Sequence, residues 1–159
     1  VNVQIYELDK QELEQRWSEI WKVLSHLIHH LQKSPVFYPS TEFTEELYKE
    51  FFMDLDTYVY VAMQDNRIIG LIEANKEQGR FVDENEQCYN TGEAYVMDEY
   101  RGRGIAQALL QHVKESMKLQ GVNYLWVEHG TANPNARGFW NKYFDTYYYT
   151  MVREIDGTI

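Results

Sequence analysis

YVMDEYRGRGIAQALL, residues Tyr95 to Leu110, is the stretch from which the rest of the chain can be placed. The run Tyr95-Val96-Met97 reads as the end of an apolar strand. The turn Arg101-Gly102-Arg103-Gly104 follows. Ile105, Ala106, Leu109, Leu110, Val113 and Met117 then recur at the spacing of one buried helix face. Glycine lets the backbone turn sharply and leaves its N–H groups unobstructed, while a helix N-terminus carries about half a positive charge. Such a strand–turn–helix is built to hold phosphate. Two arginines beside the glycines, in a chain of formal net charge −10, add guanidinium groups suited to a diphosphate.

Working outward, Val3 to Leu8 reads as a first strand. Asp9 and Glu12 have the spacing of a capping box that opens a helix near Lys10. Leu13, Trp17, Ile20, Trp21, Leu24, Leu27, Ile28 and Leu31 form its apolar stripe. Pro35 and Pro39 break the chain, and Thr44 caps a second helix whose face is read as Leu47, Phe51 and Leu55. Thr57–Met63 and Arg67–Ala74 form a hairpin about Gln64-Asp65-Asn66. Asn75 to Thr91 is polar, with Asp83, Glu84 and Glu86 close together, and reads as a solvated loop. Gly92–Met97 is the strand feeding the glycine turn. A helix from Ile105 stops at Gly121, Asn123–Val127 is a strand, Asn135–Tyr143 a helix, and Thr146–Arg153 a final strand. Strand, helix and strand around the glycine turn imply parallel neighbours, while the hairpin implies antiparallel ones. A single α/β domain over residues 1–159 with a mixed sheet is expected.

Composition agrees with a small enzyme domain. Hydrophobic residues make up 44% and aromatic residues 15%, too many for a disordered chain. Fifteen basic against twenty-five acidic residues argue against nucleic acid or an anionic membrane as partner. Cys88 is the single cysteine, so no internal disulfide and no multi-cysteine zinc site is expected, and no metal is expected at all. Charges at Glu7, Asp9 and Lys10, with no apolar run nearby, speak against a signal peptide, and a cytoplasmic location is expected. His26, His29 and His30 read as surface residues.

Two other phosphate motifs compete for the glycine turn. Gly102-x-Gly104 could begin a dinucleotide fingerprint, with Glu128 as the ribose acid. Against it, Gln107 occupies the third glycine position, and the motif begins near residue 100 of 159, too late for the remaining strands. A P-loop is excluded because no Gly-Lys-Ser/Thr follows.

The turn Arg101-Gly102-Arg103-Gly104-Ile105-Ala106 fits Arg/Gln-x-x-Gly-x-Gly/Ala, the acetyl-CoA pyrophosphate loop of the GNAT superfamily of N-acetyltransferases, which this chain resembles. Asn66-Arg67-Ile68-Ile69-Gly70 looks like the family's second hairpin. Asn133-Pro134-Asn135-Ala136, followed by Phe139-Trp140, is similar to its Asn-x-x-Ala-x-x-aromatic segment. The element order matches from about Val3 to Arg153. The resemblance implies a mostly antiparallel twisted sheet of about six or seven strands, flanked by about four helices and splayed between the fourth and fifth strands. It implies that acetyl-CoA is the acetyl donor, with its pantetheine arm between Tyr95–Met97 and Leu125–Val127. Tyr95, Val96, Met97, Arg101 to Ala106, Asn133, Ala136 and Trp140 would then contact the cofactor. Asn133 reads equally well as a cap for the helix that follows.

Acetyl transfer to an amine requires deprotonation of the ammonium, donors for the oxyanion and a proton for the leaving thiolate. The family usually transfers directly, and Cys88, in a polar loop without a histidine partner, gives no support to a covalent route. Many relatives place a tyrosine as general acid where this chain has Trp140, whose indole N–H is far too weak an acid. The usual Gly-Phe ending this helix is replaced by Phe144-Asp145. Tyr143 is the first substitute, with Tyr147, Tyr148 and Tyr149 as alternatives. For the base, Glu93 on the strand leading to the loop is the best candidate, and Glu73 and Glu128 are alternatives as bases or as substrate-binding acids. Without a general acid, the chain would be a catalytically silent acetyl-CoA-binding sensor or interaction module. Relatives form their acceptor wall where this chain has Phe37, Tyr38, Glu42, Glu45 and Glu46. Aromatic faces and carboxylates suit an ammonium, so a small or peptide-borne amine is expected, with a polycation such as a polyamine or aminoglycoside foremost. A homodimer is an open expectation.

Overall fold

Among the described residues, five strands, β1 (Gln4–Leu8), β2 (Thr57–Gln64), β3 (Arg67–Asn75), β4 (Cys88–Val96) and β5 (Tyr124–Trp126), lie side by side in chain order. The structure, a computed structural model, describes residues 2–33, 44–77, 88–129, 134–147 and 149. Three strand pairs are antiparallel and β4–β5 is parallel. Among the described residues, five α-helices flank the sheet: α1 (Lys10–Gln15), α2 (Trp17–Gln32), α3 (Glu45–Met53), α4 (Ile105–Leu119) and α5 (Pro134–Tyr143). This is a mixed, mostly antiparallel α/β architecture.

Each face of the sheet has its own core. On one side Leu13, Trp17, Ile20, Leu24 and Phe52 of α1 to α3 pack on Val59, Val61, Leu71 and Tyr95. On the other, Ile105, Leu109, Leu110, Val113 and Met117 of α4, with Trp140 of α5, cover Tyr60, Ala62, Ile72 and Val96. Burying each such aliphatic side chain stabilises the fold by about 1.5–3 kcal/mol. Both helical stripes are those that the sequence spacing marks. The capping box is present: Glu12 N–H donates to Asp9 Oδ1 at 2.8 Å, and Asp9 N–H to Glu12 Oε1 at 3.3 Å. The hairpin turns through Asp65 and Asn66 at φ 50° and 59°, left-handed values that these residues tolerate and that a two-residue hairpin demands.

Several expectations are corrected. About six or seven strands were expected, and the described residues hold five; most of the strand expected over Thr146–Arg153 lies outside them. The first helix is two helices. Arg16 leaves the helical path at φ −106°, ψ 14°, and its guanidinium reaches Asn66 C=O at 2.7 Å and Glu19. The face of α3 is rotated by one residue: Tyr48 and Phe52 are buried, while Leu47 is 51% and Leu55 85% exposed. Trp17 and Trp21 supply the reason, since Phe52 and Tyr48 pack against their rings with centroids 6.0 Å apart in each pair. Finally, β4 begins at Cys88, inside the segment read as a solvated loop. Its polar residues Asn90 and Thr91 are buried because their side chains bond Trp126 C=O and Glu73 C=O.

Among the described residues, no helix is long and apolar enough to cross a membrane.

Candidate active site

The parallel ladder between β4 and β5 is short. Cys88 pairs with Tyr124, Tyr89 with Leu125 and Asn90 with Trp126, and beyond Asn90 the strands share no pairing. They therefore form a fork that opens toward the C-terminal end of β4, where a short 3-10 turn (Asp98–Tyr100) leads into the glycines. Met97 N–H donates to Ile69 C=O at 2.9 Å, and ladder groups alternate along a strand, so Val96 N–H is on the side facing away from β3, toward the fork.

The glycine turn has the conformation that only glycine adopts easily. Gly102 lies at φ 77° and Gly104 at φ 75°, and an added Cβ at either would meet no atom within 4 Å. Gly104 is the N-cap of α4 and has no side-chain oxygen to offer. The first intrahelical bond runs from Ala108 N–H to Gly104 C=O, so the N–H groups of Ile105, Ala106 and Gln107 have no intrahelical acceptor. An open backbone cradle with outward N–H groups fits a diphosphate. The turn also lines a groove of about 250 Å³ together with Phe139, Lys142 and Tyr143 of α5.

On the α3 side of the same sheet, two carboxyls approach each other across β3 and β4. Glu73 is 1% exposed and accepts Glu93 N–H on Oε1 at 3.1 Å and Asn75 Nδ2 on Oε2 at 2.9 Å. Burial pushes its carboxyl up to about 7, against the opposing pull of those two hydrogen bonds. Glu93, partly exposed, is also pushed up to about 7 by burial. Tyr48 of α3 faces this pair: burial raises its phenol strongly, and the negative charges of Glu93 and Glu73 raise it further.

A family model described as Acetyltransferase (GNAT) family matches residues 5–145. The chain belongs to that family. The GNAT fold is equally evident in solved structures. A ribosomal-protein-alanine N-acetyltransferase from Brucella melitensis biovar Abortus 2308 superposes with a TM-score of 0.71 at 13% identity, covering 98% of this chain and 100% of that one. AAC(6')-Iy, solved with a bisubstrate analog CoA-S-monomethyl-acetylneamine, gives 0.72 at 15% identity, over 98% and 100% of the two chains. Over 81 residues the chain is also 33% identical to endoglucanase EG-1 of Humicola insolens, a match spanning 48% of this chain and 19% of the endoglucanase.

Within this GNAT chain, the residues singled out from the sequence fall into three groups. Arg101 to Ala106, with Val96, surround the open helix start. Both arginines turn back onto the chain: Arg101 Nε donates to Val96 C=O at 3.0 Å, and Arg103 Nη2 to Glu99 C=O at 3.3 Å. Tyr95 is buried on the α2 face, with its hydroxyl on Asp98 Oδ1 at 3.1 Å and the His30 ring 6.3 Å away, and Met97 is partly buried nearby. Tyr143 is partly buried on the groove wall, beside Phe139 at 5.1 Å. Trp140 is 6% exposed and packs edge-on against Phe139 and Phe144 in the α4-side core, with Ala136 partly buried beside them.

Glu128 is exposed, just beyond β5. Glu45 accepts Trp17 Nε1 at 3.0 Å, which joins α3 to α2. Cys88 is buried in β4 rather than set in a polar loop, and burial raises its thiol. Tyr38, Glu42 and Asn133 lie outside the described residues, as do Phe37 and Tyr148. Sequence reading missed Tyr48, Asn75 and Asn90. The Tyr48–Phe52 spacing carries as much helical signal as Leu47–Phe51, but nothing local chooses between them.

Proposed function

We propose that the protein transfers an acetyl group from acetyl-CoA to a primary amine carried by a small or peptide-borne cation. The observation that carries this reading is the open start of α4 at the mouth of the β4–β5 fork, with Glu93 three residues beyond the last fork pair. Acetyl-CoA, when bound, supplies a thioester that is an acetyl donor. The N–H groups of Ile105, Ala106 and Gln107 and the glycine backbone hold the diphosphate. Val96 N–H is a hydrogen-bond donor within the fork, suited to oxyanion charge. Glu93 takes a proton from the acceptor ammonium, and a carboxyl raised to about 7 is well matched to that work near neutral pH. Tyr143 Oη holds a proton on the α5 wall of the groove and is the candidate general acid. Tyr48 and Glu93 give the acceptor side aromatic and negative character, which favours a cation such as a polyamine or an aminoglycoside-like polycation.

The dinucleotide alternative is disfavoured by topology. The three strands before β4 pair antiparallel, whereas a dinucleotide fold needs a parallel sheet. Gln107 carries less of that argument than its size suggested, because it is exposed on α4 rather than packed on the sheet. A second reading, acetyl-CoA binding without turnover, is favoured by one observation: Trp140 occupies the position of the usual tyrosine and is committed to the core.

A thermal-shift titration tests the donor, since a ligand of the native state raises stability by mass action. Acetyl-CoA is expected to raise the melting temperature and a nicotinamide dinucleotide to leave it unchanged; the reverse would overturn the reading. Thiol release across an amine panel, at low and high salt, tests the acceptor. A cationic amine whose KM rises with ionic strength is expected. Turnover with none of the amines by a protein that binds acetyl-CoA would favour the second reading.

A further inference from the structure

Among the described residues, Glu73 is the one charged side chain buried in the core. It lies where the β3–β4 register slips. Ile72 pairs with Ala94 and Ala74 with Thr91, so Gly92 and Glu93 together oppose Glu73. Such a bulge strands a backbone N–H without a ladder acceptor. Here the stranded N–H, that of Glu93, donates to Glu73 Oε1. Gly92 makes room for this, since a Cβ there would stand 2.9 Å from the same oxygen. On its other side the carboxylate begins a chain of side-chain bonds. Asn75 Nδ2 donates to Glu73 Oε2 at 2.9 Å and to Asn90 Oδ1 at 3.2 Å, and Asn90 Nδ2 donates to Trp126 C=O at 3.2 Å. Asn90 and Trp126 are the last pair before β4 and β5 part.

We infer that Glu73 is a positioning residue: through Asn75 and Asn90 it pins the apex of the β4–β5 fork, and through the Glu93 N–H it holds the bulged strand that forms one arm. It acts through these groups and touches no substrate. A carboxylate suits the place because it offers two acceptor oxygens to two N–H donors, where an amide offers one oxygen. The use of the fork by an acetyl donor rests on the acetyltransferase reading above; the pinning of the fork does not.

Amide hydrogen exchange followed by NMR, on the full chain without ligand, separates the two. In the natural protein the Glu93 amide is expected to exchange slowly although it lies off the ladder. Glu73→Ala is expected to speed exchange at Glu93 and at Asn90 and Leu125 by about tenfold, the loss of one hydrogen bond, with α2 amides unchanged. Glu73→Gln, which keeps one oxygen, is expected to keep Glu93 slow. Asn90→Ala removes only the apex link, so it should leave Glu93 slow and weaken binding of coenzyme A by about tenfold. A fast Glu93 amide in the natural protein overturns the inference, and so does Glu73→Ala exchange at Asn90 and Leu125 equal to that of the natural protein. If Glu73→Ala does not fold, the Glu73→Gln and Asn90→Ala results decide in the same way. Failure of coenzyme A to bind the natural protein, with the exchange pattern as expected, would remove the acetyltransferase reading and leave the positioning role standing.

Discussion

The guanidinium carbon of Arg101 lies 4.8 Å from the centre of the Tyr95 ring, and Asp98 Oδ1 joins the two by accepting Tyr95 Oη at 3.1 Å and Arg101 Nη2 at 3.2 Å. Arg101 is thereby folded back on the strand that feeds the glycine turn, with Nε on Val96 C=O. Its first effect on an anion is therefore to set the direction of the turn. Arg101→Ala is expected to cost about 1 kcal/mol of stability and to weaken coenzyme A binding by about tenfold, read by thermal denaturation and calorimetry. Arg101→Lys should recover little, because an ammonium cannot reproduce the planar fork. Full recovery with lysine would show that charge alone matters.

Gly104 and Gly121 bracket α4, both left-handed, at φ 75° and 79°, and both with open space beside them. A side chain in that conformation costs about 1–2 kcal/mol. Gly104→Ala and Gly121→Ala should therefore lower the melting temperature by similar amounts, about 2–4 °C per kcal/mol. Their ligand responses should differ. The Gly104 variant is expected to lose the rise produced by acetyl-CoA, because its methyl group enters the anion cradle, and the Gly121 variant is expected to keep it. Equal responses would remove the cradle from the argument.

The raised carboxyl of Glu93 makes stability depend on pH in a direction opposite to that of a salt-bridged acid. A folded value near 7 above the ordinary 4.5 means that the native state binds more protons between those limits. Stability contributed by this group is full below about 4.5 and falls as pH rises through 7, by about 3 kcal/mol in the limit. Glu93→Gln is expected to gain stability over the natural protein at pH 8 and little at pH 4.5, measured by denaturant titration. In amine acetylation the natural protein should show a rising limb near pH 7 that the variant lacks. A stability difference independent of pH would show that Glu93 titrates alike in the folded and the unfolded chain, so that its carboxyl is not raised.

Tyr143 shares the groove wall with Phe139 and lies under Lys142, whose Nζ is 5.6 Å from its ring. Tyr143→Phe is expected to lower turnover by about 100-fold, the scale of general acid catalysis, with coenzyme A affinity within about twofold of the natural protein. A parallel loss of affinity would make Tyr143 a packing residue.

What the sequence determined by itself is local. Asp9 and Glu12, the stripes of α2 and α4, the Asp65–Asn66 turn and the glycine cap of α4 depend on residues within about one or two helical turns, where spacing is geometry. The glycine turn revealed the family for the same reason, since its conformation is written in Gly102 and Gly104. Tertiary structure decided what depends on distant partners. Asn90 and Thr91 look like loop residues until Trp126 and Glu73 accept their bonds. Tyr48 and Leu47 compete equally for the α3 face until Trp21 selects one. Trp140 sits where a catalytic tyrosine is expected, and its burial between Phe139 and Phe144 is settled by the aromatic core beneath α4. Glu73, an alternating acid in a strand by its sequence, becomes the acceptor for a bulge because strand register is set by pairing between chain segments, and no local spacing encodes it.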